Sequence, residues 1–166
     1  MVKEMRELHV TQIREWLDRL EIRDVLERYM RYNDDNDAER LTSLFHHDAT
    51  FQGAGQIHKG RDEIGTLFRN AFGTTPPGRW TDDGNLFSQP RSIHLSSNPV
   101  IDLDGDRATA ETDFQVVSRS VDGGSVISLI GRFRDRLRRA DDGGWLIESR
   151  TIVPVGRQTE GTLTRG

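Results

Sequence analysis

The sequence predicts an α+β fold in which helices come first and an antiparallel sheet follows. Apolar residues recur at helical spacing up to about residue 72, and four β-rich segments after residue 92 are separated by Asp-Gly turns. Strands and helices do not alternate, so a parallel α/β sheet is not predicted. The expected architecture is a curved antiparallel sheet wrapped around the helices, a cone whose open side the first long helix closes.

The first helical signal has two parts. Ile13, Trp16, Leu17 and Leu20 share one face, and Ile22, Val25, Leu26, Tyr29 and Met30 share another. The two sets are out of register by about one residue, which predicts a bend or break near Leu20–Ile22. The run Asn33-Asp34-Asp35-Asn36-Asp37 then ends the helix and offers Asp37 as N-cap of a short second one, with Ala38, Leu41, Leu44 and Phe45 inward. A third helix follows Gly60, with Ile64, Leu67, Phe68 and Ala71 inward.

Residues 73–90 lose all periodicity. Their Pro76-Pro77 pair, glycines and scattered apolar side chains predict a long loop that acts as a lid. Beyond it, turns at Asp104-Gly105, Asp122-Gly123-Gly124 and Asp141-Asp142-Gly143-Gly144 divide strands at about 93–103, 107–120, 125–139 and 144–154.

Bulk properties bound the function. At 166 residues the chain suits one domain, expected over 1–155, with a polar tail at 156–166. A net charge of −4 argues against a nucleic-acid partner. No apolar run is long enough to span a membrane, and the charged start MVKEMRELHV has no leader pattern, so a cytoplasmic protein is expected. With no cysteine there are no disulfides or thiolate metal sites.

Three groups of residues invite chemistry. Asp34, Asp35 and Asp37 crowd a helix C-terminus, where the dipole favours cations. Capping and solvation are the ordinary account; the alternative is that Asp34 points inward. His94 alternates with Ile93 and Leu95, so it shares the opposite strand face with Ser92 and Ser96, toward pocket or solvent. His46-His47-Asp48, with His58 nearby, is read as a surface helix end. Adjacent helical histidines diverge by about 100°, so no metal site is expected. Arg132, Arg134, Arg136, Arg138 and Arg139 stand mostly at alternate positions and give one arginine-lined strand face, either solvated beside acidic neighbours or in a subunit contact. No phosphate loop, serine elbow or dinucleotide fingerprint is present.

From about Leu20 to Val153 the chain resembles the SnoaL-like branch of the NTF2-like superfamily, close to scytalone dehydratase and the lindane dehydrochlorinase. Four passages carry the resemblance: Ile22-Arg23-Asp24-Val25-Leu26-Glu27-Arg28-Tyr29 with Asp34…Asp37; Leu44-Phe45-His46-His47-Asp48-Ala49-Thr50-Phe51; Ile93-His94-Leu95-Ser96-Ser97-Asn98 leading into Asp104-Gly105-Asp106-Arg107-Ala108; and Gly131-Arg132-Phe133-Arg134-Asp135 ending in Gly144-Trp145-Leu146-Ile147.

The resemblance implies an Asp–His dyad at Asp34 and His94. It places Phe114 and Val116 on the pocket wall, with Tyr29, Leu67 and Trp80 nearby. It implies a lyase, isomerase or cyclase without cofactor or metal, acting on a small hydrophobic molecule of aromatic or polyketide type, and a homodimer or homotrimer. The alternative is a non-catalytic small-molecule-binding or structural module, such as a dioxygenase small subunit, and fold alone does not choose between them. The chain departs from scytalone dehydratase at two tyrosines that hold a water there. Asn33 stands directly before the dyad aspartate and Phe51 lies in the region of the second.

Overall fold

The computed structural model describes residues 2–74, 92–120 and 122–155, with side chains described from residue 9 onward. The predicted lid, and Trp80 with it, lies outside the described residues.

The first helix, α1 (Val2–Asp34), is 33 residues long, about 50 Å at 1.5 Å per residue. It runs unbroken through Leu20–Ile22, so there is no break of the helix there. The phase difference between its two apolar sets is expressed as exposure instead. Ile22 and Leu26 are 0% and 2% exposed, whereas Ile13, Trp16 and Leu20 are 60%, 69% and 60% exposed. At 100° per residue the second group lies opposite the first, and only the second half of α1 contributes to the core.

The closing turn of α1 decides where the candidate site sits. Asn36 takes the left-handed conformation, with φ 55. The Asp37 N–H donates to the Tyr32 carbonyl at 2.9 Å and the Asn36 N–H to the Asn33 carbonyl at 3.1 Å. This pair of bonds is a Schellman motif, which satisfies the last carbonyls and stops the helix. Asp34 is thereby fixed in the last turn, with its side chain on the core side and 6% exposed.

Asp37 caps the short α2 (Ala38–Ser43), its Oδ1 accepting the Arg40 N–H at 2.9 Å. Burial alone would raise the Asp37 carboxyl. The Arg40 amide and guanidinium outweigh it and hold the pKa below the ordinary aspartate value. A depressed folded-state pKa gives stability that is present above the unfolded value and lost as pH falls through the folded one. Asp37→Ala is therefore expected to cost about 1 kcal/mol at neutral pH. Urea midpoints of variant and parent should converge in acid, and an undiminished gap there would count against the cap.

Leu44 closes α2, and Phe45 already starts a strand, β1 (Phe45–Gly53), which turns back into β2 (Gln56–Lys59). Neither strand is predicted by the sequence pattern. The turn between them has Ala54 at φ 48 and Gly55 at φ 76. Both values are positive, as tight hairpins require, but an Ala-Gly pair lacks the usual Asn or Asp signal. His46, His47 and Asp48 consequently lie on β1 and not on a helix end. The third helix, α3 (Arg61–Phe72), buries Ile64 and Phe68, half-buries Leu67, and leaves Ala71 exposed.

The four predicted strands follow as β3 (Ser92–Asp104), β4 (Arg107–Arg119), β5 (Ser125–Arg139) and β6 (Trp145–Pro154). Together they form, with β1 and β2, one curved, open sheet in the order β2-β1-β6-β5-β4-β3. Every neighbouring pair is antiparallel except β1–β6. The predicted meander β3–β6 is antiparallel throughout; the parallel pair is made by the unpredicted β1, and α3 and the other strands of the fold lie between β1 and β6 in sequence.

Thr112, Phe114 and Val116 are buried while Asp113, Gln115 and Val117 are only partly so. The strand face that carries Phe114 and Val116, expected to point inward, is therefore the buried one. Gly131 sits beneath Phe114, where an added Cβ would lie 2.6 Å from ring carbons and 2.8 Å from the Val153 carbonyl. Only glycine lets the Phe114 ring stack at 4.2 Å on Phe133. On the outer face, Arg132 and Arg134 pair with Glu111 and Asp113, the solvated arrangement. Arg138 and Arg139 depart from it, reaching Asp48 and Asp18 respectively. No helix among the described residues is long and apolar enough to cross a membrane.

Candidate active site

β3 is the last strand of the sheet, so part of its backbone has no strand partner. An edge N–H needs an acceptor, and at His94 that acceptor is the carboxylate of Asp34 from the end of α1. The His94 N–H lies 3.0 Å from Oδ2 and 3.2 Å from Oδ1. The ring closes on the same group, with Nδ1 2.7 Å from Asp34 Oδ1. The two residues are 60 apart in sequence, so the contact is a product of the fold. It also answers the poor placement of an acid at a helix C-terminus, since two donors from β3 take the place of solvent.

A carboxylate only accepts, so the shared hydrogen sits on Nδ1, and in the neutral form of the ring the lone pair is then on Nε2. His94 forms part of the wall of a cavity of about 240 Å³ between α1, α3 and the sheet, together with Tyr29, Asn33, Leu67, Phe114 and Leu129. The rest of the lining is mainly aromatic and aliphatic: Phe51, Phe68, Phe72, Phe133 and Ile152, with Ala71. The space suits a small, largely apolar molecule of one or two rings. A separate groove of about 480 Å³ is lined by Glu27, Arg31, Asp34, His94 and Leu95.

A match to the family of SnoaL-like domains covers residues 14–151. This chain belongs to the SnoaL-like family. Among solved structures it is similar to an NTF2-like protein with a cystatin-like fold from Novosphingobium aromaticivorans. The two are 28% identical, 90% of each chain is covered, and the TM-score is 0.71. A protein of unknown function with a cystatin-like fold from Nostoc punctiforme is also 28% identical, over 83% of this chain and 91% of that one, with a TM-score of 0.66. A provisionally described scytalone dehydratase from N. aromaticivorans shares the fold at 20% identity and a TM-score of 0.66, covering 86% of this chain and 87% of that one. No curated protein matches the sequence.

Of the residues expected around the SnoaL-like pocket, Tyr29, Leu67 and Phe114 line the cavity beside His94. Val116 does not, although it is buried on the same face. Its cross-strand partners are His94 on one side and Leu129 on the other, and those two side chains are the ones that reach the cavity.

Two features of the site go beyond what the sequence predicts. Asn33 places its amide nitrogen 3.2 Å from His94 Nδ1 and 3.3 Å from Nε2. Beneath Tyr29 lies a completely buried ion pair. Arg150 donates from Nε and Nη2 to the two carboxylate oxygens of Asp135, each at 2.8 Å. Its guanidinium lies 3.8 Å from the Tyr29 ring centroid and 4.4 Å from that of Phe133. Burial opposes the charge on Arg150, but the facing Asp135 carboxylate more than offsets it and the pKa is raised. Burial also pushes the Tyr29 phenol up, so it remains a neutral hydroxyl in the floor of the cavity.

His46, His47 and Asp48 are brought together by β1, with potential ligand atoms within 4.8 Å of one another. The position already has a cation. The Arg138 guanidinium bonds both His46 Nδ1 and Asp48 Oδ1 and is the main reason the Asp48 carboxyl falls to about 2. A metal at this place would have to displace it.

Proposed function

We propose that this SnoaL-like protein is a cofactor-independent lyase, isomerase or cyclase in which His94 removes a proton from carbon and Asp34 orients and supports it. The substrate is a small hydrophobic molecule of aromatic or polyketide type. The observation that carries this reading is the Nδ1–Oδ1 contact of 2.7 Å at the wall of an apolar cavity. An imidazole is a competent base near neutral pH. A carboxylate on its other nitrogen fixes the tautomer and stabilises the imidazolium as it forms. Apolar walls strengthen both effects by excluding water. A structural or carrier module has no need to hold an acid and a histidine together at the edge of a cavity.

The test begins with the protein as purified. Extraction and mass spectrometry of copurified small molecules supply candidate ligands, which are then incubated with enzyme in D2O. Solvent deuterium should enter one carbon position, or a product of elimination or cyclisation should accumulate, with wild-type protein and not with His94→Gln. Tight binding without exchange or conversion of any such ligand would favour the carrier alternative.

A further inference from the structure

A strand that alternated regularly from Phe45 to Phe51 would turn His47 inward with Phe45, Ala49 and Phe51, all of which are buried. His47 is exposed instead. The pairing of β1 with β6 shifts register between Phe45 and Thr50, and an irregularity of this kind re-aims side chains. Here it brings three consecutive polar side chains together. The His46 and His47 rings lie 4.5 Å apart, centre to centre. His46 Nδ1 is 2.8 Å from Asp48 Oδ1, and one nitrogen or oxygen from each of the three residues lies within 4.8 Å of the others. None of the three lines the cavity at His94, so the proposed reaction does not account for them.

The group they share is already a cation. A guanidinium has donors and no acceptor, so Arg138, which bonds both His46 Nδ1 and Asp48 Oδ1, takes a lone pair from each. Nδ1 and Oδ1 then face one another as two acceptors, a contact that repels unless a positive charge lies beside both. Two atoms 2.8 Å apart, each about 2.1 Å from a metal ion, subtend roughly 85° at it, close to an octahedral edge. Arg138 also has another carboxylate to turn to. Its Nε is buried without a hydrogen-bond partner and lies 3.6 Å from Glu148 Oε1. A small shift of the side chain therefore keeps the guanidinium paired when His46 and Asp48 are taken.

We infer that His46, His47 and Asp48 form a site for a divalent first-row transition ion, which exchanges with the Arg138 guanidinium. Two imidazoles select such an ion over Mg2+ and Ca2+, which prefer oxygen. One carboxylate and two imidazoles leave the other coordination positions to water. Arg138 belongs to β5 and its present partners to β1, with β6 between them. Exchange moves the guanidinium from a link that spans β6 to one on Glu148 of β6 itself.

The probe is Zn2+, titrated calorimetrically into the protein at neutral pH in a buffer that does not coordinate metals. Wild type should bind one equivalent, and excess Mg2+ should not compete. His47→Ala and Asp48→Asn should each weaken binding about 10-fold or more, since loss of even an outer partner of a metal ligand costs that much. His94→Gln should bind as wild type does, which separates this site from the dyad. Arg138→Met removes the competing cation and should tighten binding about 5-fold, an exposed ion pair being a weak competitor. Adventitious binding to a surface histidine would not show that gain. Circular dichroism checks that each variant is folded. No binding by folded wild type overturns the site, even if Arg138→Met binds, because the guanidinium is then the resident cation. Affinity unchanged in either His47→Ala or Asp48→Asn, or not tightened in Arg138→Met, overturns it as well.

Discussion

His94→Gln is expected to abolish measurable turnover while the protein still folds, because His94 is a wall residue of the cavity and only partly buried. Glutamine keeps the length and polarity of the side chain but has no basic lone pair at neutral pH. General-base catalysis is typically worth about 10²–10⁴-fold, so the loss stands clear of assay scatter. Circular dichroism and a urea midpoint close to those of the parent would show that the loss is chemical.

Asp34→Asn is expected to cost nearly as much, for a different reason. The carboxylate accepts from both the His94 backbone N–H and Nδ1. The amide introduced by Asp34→Asn has an oxygen that accepts and an NH2 that only donates. The backbone N–H claims the acceptor, and the NH2 then faces Nδ1. That arrangement moves the ring hydrogen to Nε2, so the lone pair points at the helix and away from the cavity. The double variant should be scarcely slower than either single one, since residues that act as a unit are not additive. Full additivity of the two losses, measured as kcat/KM, would mean that they serve separate functions.

Both members of the dyad are legible in the sequence because each is signalled locally. Asp34 is an acid where the helix dipole disfavours one, and His94 alternates with Ile93 and Leu95 on a strand. What joins them is the resemblance of the whole chain to known proteins; spacing alone does not bring together residues 60 apart. Strand boundaries after residue 92 are legible because Asp-Gly turns punctuate them. The β1–β2 hairpin is not, because its turn is Ala54-Gly55 and the other strand that pairs with β1, β6, lies about a hundred residues away in sequence. Arg150 is hidden for a geometric reason. Ile147 and Arg150 differ in parity, so alternation assigns them to opposite faces. A register shift in the β5–β6 pairing, between Arg136 and Leu137, restores them to the same one. Such a bulge is invisible to a period of two.

That buried pair gives the largest stability change expected of any single site. Both side chains are 0% exposed, so each has lost its hydration and relies on the other. Two parallel bonds of 2.8 Å and the flanking Tyr29 and Phe133 rings supply the compensation. Arg150→Met removes the cation and strands Asp135 as an uncompensated charge in the core. The expected cost is about 3–5 kcal/mol, a large share of the roughly 5–15 kcal/mol that holds an ordinary domain together. Asp135→Leu alone should be similarly damaging. The double variant Arg150→Met/Asp135→Leu should regain most of the loss, because a well-packed apolar pair avoids both desolvation terms. Urea denaturation of all four proteins makes a double-mutant cycle. A strongly favourable coupling energy is expected, while single variants that lose less than about 1 kcal/mol would show that water reaches the pair. The double variant also separates packing from chemistry, because Tyr29 rests on the guanidinium at the floor of the cavity. If the Arg150 charge serves only to hold that ring, the restored protein should turn over substrate close to the parental rate. Restored stability with turnover still lost would assign the charge itself a part in the reaction.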